Sequence, residues 1–347
     1  MARSDDSRPG GRSRATRREF LGTLAGTLAL APQVRAMQKP GPGGIPVRPL
    51  GRTGVSVSIV GYGGWDAPIA PSEDEAIARM HLAIDEGVTF FDNGWEYHDG
   101  RAEEVMGKAL QASSWRDRVF LMTKVCARDY EGAKRQIDQS LARLRTDRVD
   151  LLQFHAIQYE DDIERILDPE RGGLRAALEA KKAGKLRFLG FSGHRDPQTH
   201  ARMINGPHPW DTAQMPLNVL DAQYKSFENV VLPLCRQKGI GALGMKSLGG
   251  QDGRIVRELK IDWELCRRYA MSLPVATTIC GMQSREELLG MVRIARDFEP
   301  LTEAQVEALL DRAEDAAEKA EIEEYKKPTS GYGCSYRDAE ARAKKTA

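Results

Sequence analysis

The sequence predicts an α/β chain closed into a (β/α)8 barrel, the TIM-barrel architecture. Beyond Val55, eight strand-length apolar runs alternate with longer amphipathic stretches, the pattern of βα units on a parallel sheet rather than of a sandwich. The 347 residues suit such a barrel, which takes about 250 residues plus insertions. A doubly wound open sheet fits less well. No Gly-x-Gly-x-x-Gly turn follows the first run, because Gly61, Gly63 and Gly64 lack the remainder of that spacing.

The runs are Val57 to Gly64, Thr89 to Trp95, Val119 to Val125, Asp150 to Ile157, Leu186 to Gly193, Thr212 to Leu217, Ile240 to Leu248 and Val275 to Met282. Between them, apolar residues recur at helical spacing, as in Ala76, Met80, Ala83 and Ile84 or Val105, Met106, Ala109 and Leu110, with charges on the other faces. Pro71-Ser72-Glu73 and Ser284-Arg285-Glu286-Glu287 read as helix starts, each with a capping hydroxyl and early acids. Leu301 to Tyr325 reads as a charged, alanine-rich closing helix. The expected organisation is a barrel over 47–325 that includes this helix, followed by a tail over 326–347.

Composition narrows the function. With 41% hydrophobic and 29% charged residues, the chain can fill a core and solvate its surface. Its 51 basic and 50 acidic side chains nearly cancel, so it lacks the broad positive field of a nucleic-acid binder. The five cysteines, Cys126, Cys235, Cys266, Cys280 and Cys334, lie far apart with no zinc-type spacing. They read as mostly buried small hydrophobes, and no metal site is expected.

The first 36 residues have the layout of an export signal. An arginine-rich start precedes the short apolar stretch Phe20 to Ala31 and the small-residue ending Val34-Arg35-Ala36. The stretch is about 12 residues, too short for a stable membrane anchor. Thr16-Arg17-Arg18-Glu19-Phe20-Leu21 resembles the twin-arginine signal, which implies Tat export machinery as a partner, passage in the folded state and a periplasmic location. Cleavage near Ala36 removes seven Arg and three acidic residues and takes the formal charge from +1 to −3. Residues 37–46, rich in glycine and proline, read as a flexible linker.

Catalytic groups of such barrels come from the carboxyl ends of the strands. Here those ends carry Asp92, Asn93, Lys124, His155, Ser192, His194, Gln214, Asn218 and Lys246, with Tyr97 in the loop after Asp92. The segments Phe90-Phe91-Asp92-Asn93-Gly94-Trp95-Glu96-Tyr97, Thr123-Lys124 and Leu151-Leu152-Gln153-Phe154-His155 resemble the aldo-keto reductase family over about Val47 to Phe298. The resemblance implies a catalytic tetrad of Asp92, Tyr97, Lys124 and His155 and hydride exchange between a nicotinamide and a small carbonyl or alcohol. That chemistry is reasonable for these residue types. Charge develops on the carbonyl oxygen while a proton must arrive, and an ammonium at Lys124 is expected to lower the Tyr97 phenol from its ordinary value near 10. Asp92 would keep Lys124 charged, and His155 would orient the carbonyl.

The same resemblance implies NAD(P)H as cofactor, with NADP(H) slightly ahead of NAD(H). Ser192, His194 and Gln214 would serve the carboxamide, although Gly193 stands where the family places an asparagine. Met245 would face the nicotinamide and Lys246 the phosphates. Gly281, Gln283, Ser284 and Arg285 would take the adenosine end at a helix start, where Glu287 would oppose a 2′-phosphate. The alternative is a nicotinamide-binding sensor or accessory subunit that keeps the barrel and cofactor but does not turn over. Substrate choice and oligomeric state are not encoded in these patterns.

Overall fold

The computed structural model describes residues 31–250, 253–318, 321–327, 333–337 and 339. Residues 16–21, on which the expectation of a twin-arginine signal rests, lie outside this set. An antiparallel hairpin of β1 (Val47–Pro49) and β2 (Ser56–Ser58) precedes eight parallel strands, β3 (Val60–Gly63), β4 (Phe90–Asp92), β5 (Phe120–Val125), β6 (Val149–Phe154), β7 (Leu186–Ser192), β8 (Thr212–Pro216), β9 (Gly241–Met245) and β10 (Thr277–Cys280). These eight close a barrel in chain order, with β10 paired to both β9 and β3. One strand falls on each of the eight predicted runs. Several runs outlast their strands because the apolar pattern continues into the loops above the sheet, as where His155 N donates to Val125 O at 2.8 Å.

The two faces of the strands have different jobs. Leu50, Val57, Phe90, Phe120, Met122, Leu151, Leu243, Ala276 and Ile279 form one buried cluster, so the hairpin supplies Leu50 and Val57 to a plug inside the barrel. A much larger cluster joins the strands to the outer helices. Ser72 and Ser284 cap the helices Glu73–Asp85 and Arg285–Arg296 through Glu75 N and Glu287 N, both at 3.1 Å, as the acid-rich helix starts predict.

Two expected boundaries move. The stretch 37–46 is packed rather than a loose linker. Lys39 and Val47 exchange backbone hydrogen bonds at 2.9 and 2.8 Å, Ile45 is buried, and Arg296 reaches the Gly43 carbonyl at 2.6 Å. Backbone pairing onto β1 supplies the order that side-chain periodicity cannot show. The closing helix runs only over Glu303–Glu318, after which Glu321–Lys327 drops toward the barrel mouth. There Lys326 pairs with Asp221 at 2.7 Å and Glu323 at 2.8 Å, all three fully or nearly fully buried.

The tail returns across the mouth as well. Cys334 is disulfide-bonded to Cys126, just beyond β5, whereas Cys235, Cys266 and Cys280 are free and buried. All five cysteines are buried, as expected, but Cys126 and Cys334 are joined rather than packed as separate small hydrophobes. Arg337 and Arg128 each donate from Nε to Asp162 Oδ1, at 2.8 and 2.9 Å, while Gln158 N and Tyr159 N donate to Oδ2 at 2.8 Å. Burial pushes the Asp162 carboxyl up, but Arg128 and the backbone donors outweigh it and hold the group down at about 2.

A carboxyl whose folded value lies below its unfolded one stabilises the fold above its unfolded value and loses that contribution as pH falls through the folded value. For Asp162 the contribution is about 2 kcal/mol. In urea unfolding at a series of pH values, the advantage of the wild type over Asp162→Asn should be full above about pH 5 and shrink as pH falls toward 2. A pH-independent difference between the two proteins would show that Asp162 is not the titrating anchor.

Candidate active site

The carboxyl ends of β4, β5 and β6 meet at one mouth. Register places Asp92 beside Met122, and Lys124, two residues further along β5 on the same face, stands one level higher beside Gln153. Lys124 Nζ donates to Asp92 Oδ1, to Asn93 O at 2.8 Å and to Tyr97 Oη at 2.9 Å. Its side chain is 1% exposed. Burial lowers the Lys124 ammonium below its ordinary value, and Asp92 pulls it back up.

Tyr97 opens the turn Tyr97–Gly100, in which His98, Asp99 and Gly100 all have positive φ. Trp65 and His155 stand edge-on to the Tyr97 ring at 5.0 and 5.6 Å between centroids. A Cβ on Gly94 would meet the Tyr97 ring at 3.0 Å, so the ring would have to give by a few tenths of an ångström to admit one. The phenol itself departs from the expectation of acidification. Burial, with Asp92 and Glu96 adding to it, holds Tyr97 well above its ordinary value. The resting site therefore keeps a protonated phenol with an ammonium against its oxygen.

His155 is oriented from behind by a residue that motif reading passed over. Its Nδ1 lies 2.8 Å from Glu96 Oε1 and 3.8 Å from Cys126 Sγ. Ser335 N and Oγ both donate to Glu96 Oε2, at 2.7 and 3.1 Å. Burial raises the Glu96 carboxyl, and the hydrogen bonds from His155 and Ser335 overcome this to leave it below its ordinary value. Glu96 directly precedes Tyr97, but no spacing rule marks it, and Ser335 arrives from the far end of the chain.

The other predicted residues divide into groups. Gln214 Nε2 lies 3.4 Å from Asp92 Oδ2, while Gln214 Oε1 is buried with no hydrogen-bond partner among the described residues. Ser192 Oγ accepts from Ala156 N at 3.2 Å. These two border the tetrad. His194 and Lys246 face the C-terminal segment instead: His194 Nδ1 lies 3.5 Å from Tyr325 O, and the Lys246 ammonium sits 5.1 Å from the Tyr325 ring centroid. Burial, assisted by Lys246, pushes His194 well down, so its ring is neutral. Burial brings the Lys246 ammonium down to about 8, with Lys124 adding to the effect. Met245 ends β9 half-buried.

Gly281, Gln283, Ser284 and Arg285 lie at the start of the helix Arg285–Arg296, on the same side of the barrel. Gln283 N donates to Glu287 Oε2 at 2.7 Å and Glu287 N to Ser284 Oγ at 3.1 Å, a variant of the capping box in which the acid reaches the amide before the N-cap residue. A Cβ on Gly281 would meet Asp66 Oδ2 at 2.4 Å. Asp66, whose carboxyl is raised by burial, is a further mouth residue that the sequence reading missed.

The family model described as Aldo/keto reductase family matches residues 59–260. L-galactose dehydrogenase of Arabidopsis thaliana is 33% identical over 161 residues, 43% of this chain and 49% of that protein. The match thus spans about half the length of that relative. Aldo-keto reductase YhdN of Bacillus subtilis (strain 168) is 29% identical over 234 residues, 62% of this chain and 67% of that protein. In fold, the chain is similar to the solved aldo-keto reductase AKR11C1 from Bacillus halodurans in its holo form, with a TM-score of 0.63, 23% identity, and coverage of 78% of this chain and 96% of that one.

Removing one member of the buried ion pair should cost more than removing both. Lys124→Met leaves the Asp92 carboxylate uncompensated, and a loss of about 3–5 kcal/mol in urea unfolding is expected. Lys124→Met combined with Asp92→Asn should recover part of that loss; a double variant as unstable as the sum of the singles would mean that the two side chains act independently.

Proposed function

The chain belongs to the aldo/keto reductase family, and on that premise we propose that it is an NAD(P)-dependent oxidoreductase. It would interconvert a small carbonyl compound and its alcohol, with Tyr97 as general acid and base. The observation that carries this reading is the Lys124 ammonium 2.9 Å from Tyr97 Oη with Asp92 bonded behind it.

Each residue has a distinct part. As negative charge develops on the carbonyl oxygen, Tyr97 gives up its proton at Oη, and the ammonium of Lys124 stabilises the phenolate left behind. Asp92 keeps that ammonium charged against its own burial. His155 lies with Nδ1 2.8 Å from Glu96 Oε1; with a proton on both ring nitrogens it donates from Nε2 to the carbonyl oxygen and orients it. The elevated value of the resting phenol keeps Oη protonated, so the proton is in place before the alkoxide develops. In the reverse direction the same oxygen accepts the alcohol proton.

A nicotinamide, when bound, supplies or accepts the hydride. The residues fit its carboxamide end, because the buried, unpartnered Gln214 Oε1 is an acceptor that a primary amide satisfies, and Ser192 adjoins it. Lys246, Gly281, Gln283, Ser284 and Arg285 would meet the phosphates. We place NADP(H) ahead of NAD(H), with Arg285 as the cation for the 2′-phosphate and Glu287 opposing it.

We further propose Tat-dependent export to the periplasm. The Thr16–Leu21 motif and the Cys126–Cys334 disulfide support it, since such bonds persist in oxidising compartments. Among the described residues, no helix is long and apolar enough to cross a membrane.

Single-turnover reaction of the reduced nicotinamide complex with a panel of aldehydes and ketones should be slower in Tyr97→Phe by about two orders of magnitude or more. Equal rates in the two proteins would support the non-turnover sensor. For export, Arg17→Lys with Arg18→Lys should leave the protein in the cytoplasmic fraction while the wild type reaches the periplasmic one; an unchanged distribution would remove the export assignment.

A further inference from the structure

Behind the tetrad, Glu96, Cys126, His155 and Cys334 bring a carboxylate oxygen, two sulfurs and an imidazole nitrogen within 4.8 Å of one another. Both cysteines are fully buried, and the His155 and Glu96 side chains are only 12% and 8% exposed. We propose that these four side chains form a tetrahedral zinc-class metal site in the protein whose Cys126–Cys334 bond has been reduced.

The donor set is the first argument. Two thiolates with one imidazole select a borderline-soft ion such as Zn²⁺, and a carboxylate completes four-coordination without leaving an open position. Distances are the second. With Zn–S of about 2.3 Å and Zn–N of about 2.05 Å, a tetrahedral ion separates sulfur from nitrogen by about 3.5 Å. Cys126 Sγ and His155 Nδ1 already stand 3.8 Å apart. The supporting contacts are the third. Ser335 uses both of its donors on Glu96 Oε2 and turns Oε1 inward. Arg128 Nη1 and Nη2 donate to the carbonyls of Cys126 and His155, at 2.8 and 2.7 Å. Oriented ligands of this kind are what a metal site needs around it.

The redox step balances with a dithiol as reductant. Its two S–H groups give two electrons and two protons, becoming a disulfide, while the Cys126–Cys334 bond breaks to two thiols. Zn²⁺ then displaces those two protons. The ion and the disulfide are alternative ways of fastening the same C-terminal segment to the end of β5. With the ion on Nδ1, the ring proton of a neutral His155 resides on Nε2, the nitrogen that donates in the reaction proposed above.

The test uses the full chain in its oxidised and dithiol-reduced forms, dialysed anaerobically against zinc and then freed of loose metal on a chelating resin. The reduced protein should retain about one zinc ion per chain and the oxidised protein less than about a tenth of that. Cobalt(II) in place of zinc should give a thiolate charge-transfer band in the reduced wild type that is lost in Cys334→Ser. Equal zinc in both redox forms, none in the reduced form, or a cobalt spectrum without thiolate character would overturn the proposal. So would reduced protein that loses its folded circular dichroism and does not regain it with zinc.

Discussion

A lysine ammonium inside a barrel sets the terms for everything around it. Lys124 is taken out of water, which pulls its proton away, and the site is organised to keep that proton on. Asp92 supplies the opposite charge and Asn93 a carbonyl, so Tyr97 Oη receives the remaining donor. This arrangement follows from parallel register: with Asp92 level with Met122 on the neighbouring strand, the side chain two residues on rises past the carboxylate toward the mouth. Asn93 N and Trp95 N extend the pairing to Met122 O and Lys124 O, at 3.0 and 2.9 Å, and so carry the chain to the turn that presents the phenol.

The C-terminal segment answers the same constraint at the mouth. A rim rich in polar groups cannot be closed by apolar side chains without orphaning them, and the segment brings its own charges. Lys326 enters between Asp221 and Glu323, and Arg337 joins Arg128 on Asp162. The cost of desolvation remains visible, since burial pushes the Asp221 carboxyl up to about 6 against the pull of Lys326. Tyr325, with its hydroxyl on Glu323 at 2.6 Å and its ring over Lys246, gives the segment an aromatic foot on the loops after β8 and β9.

Periodicity carried the barrel because a strand buried on both faces and an amphipathic helix leave different marks in the sequence, and the two serine caps were readable for a similar reason. Asp92, Tyr97, Lys124 and His155 were legible through the strand ends on which they sit. Residues that act by coming back from a distance were not. Cys334 and Ser335 reach Cys126 and Glu96 only after the whole barrel has closed. The packing of 39–47 depends on backbone pairing, which composition hides. The phenol's elevated value was also out of reach, because it depends on the burial of Tyr97 and on the carboxylates of Asp92 and Glu96 beside it.

The helix start at Ser284 uses both its serine and its acid, one as cap and one as a back-reaching acceptor. A helix N-terminus has unsatisfied amides and a favourable dipole for anions, and here Glu287 folds back onto Gln283 N while Ser284 caps Glu287 N. Glu287 is exposed, so its carboxylate is held by a surface-type interaction of about 0.3–1 kcal/mol. The Ser284 cap does not depend on the carboxylate, so the acid occupies the amide just before the helix while the serine holds the helix start independently of it.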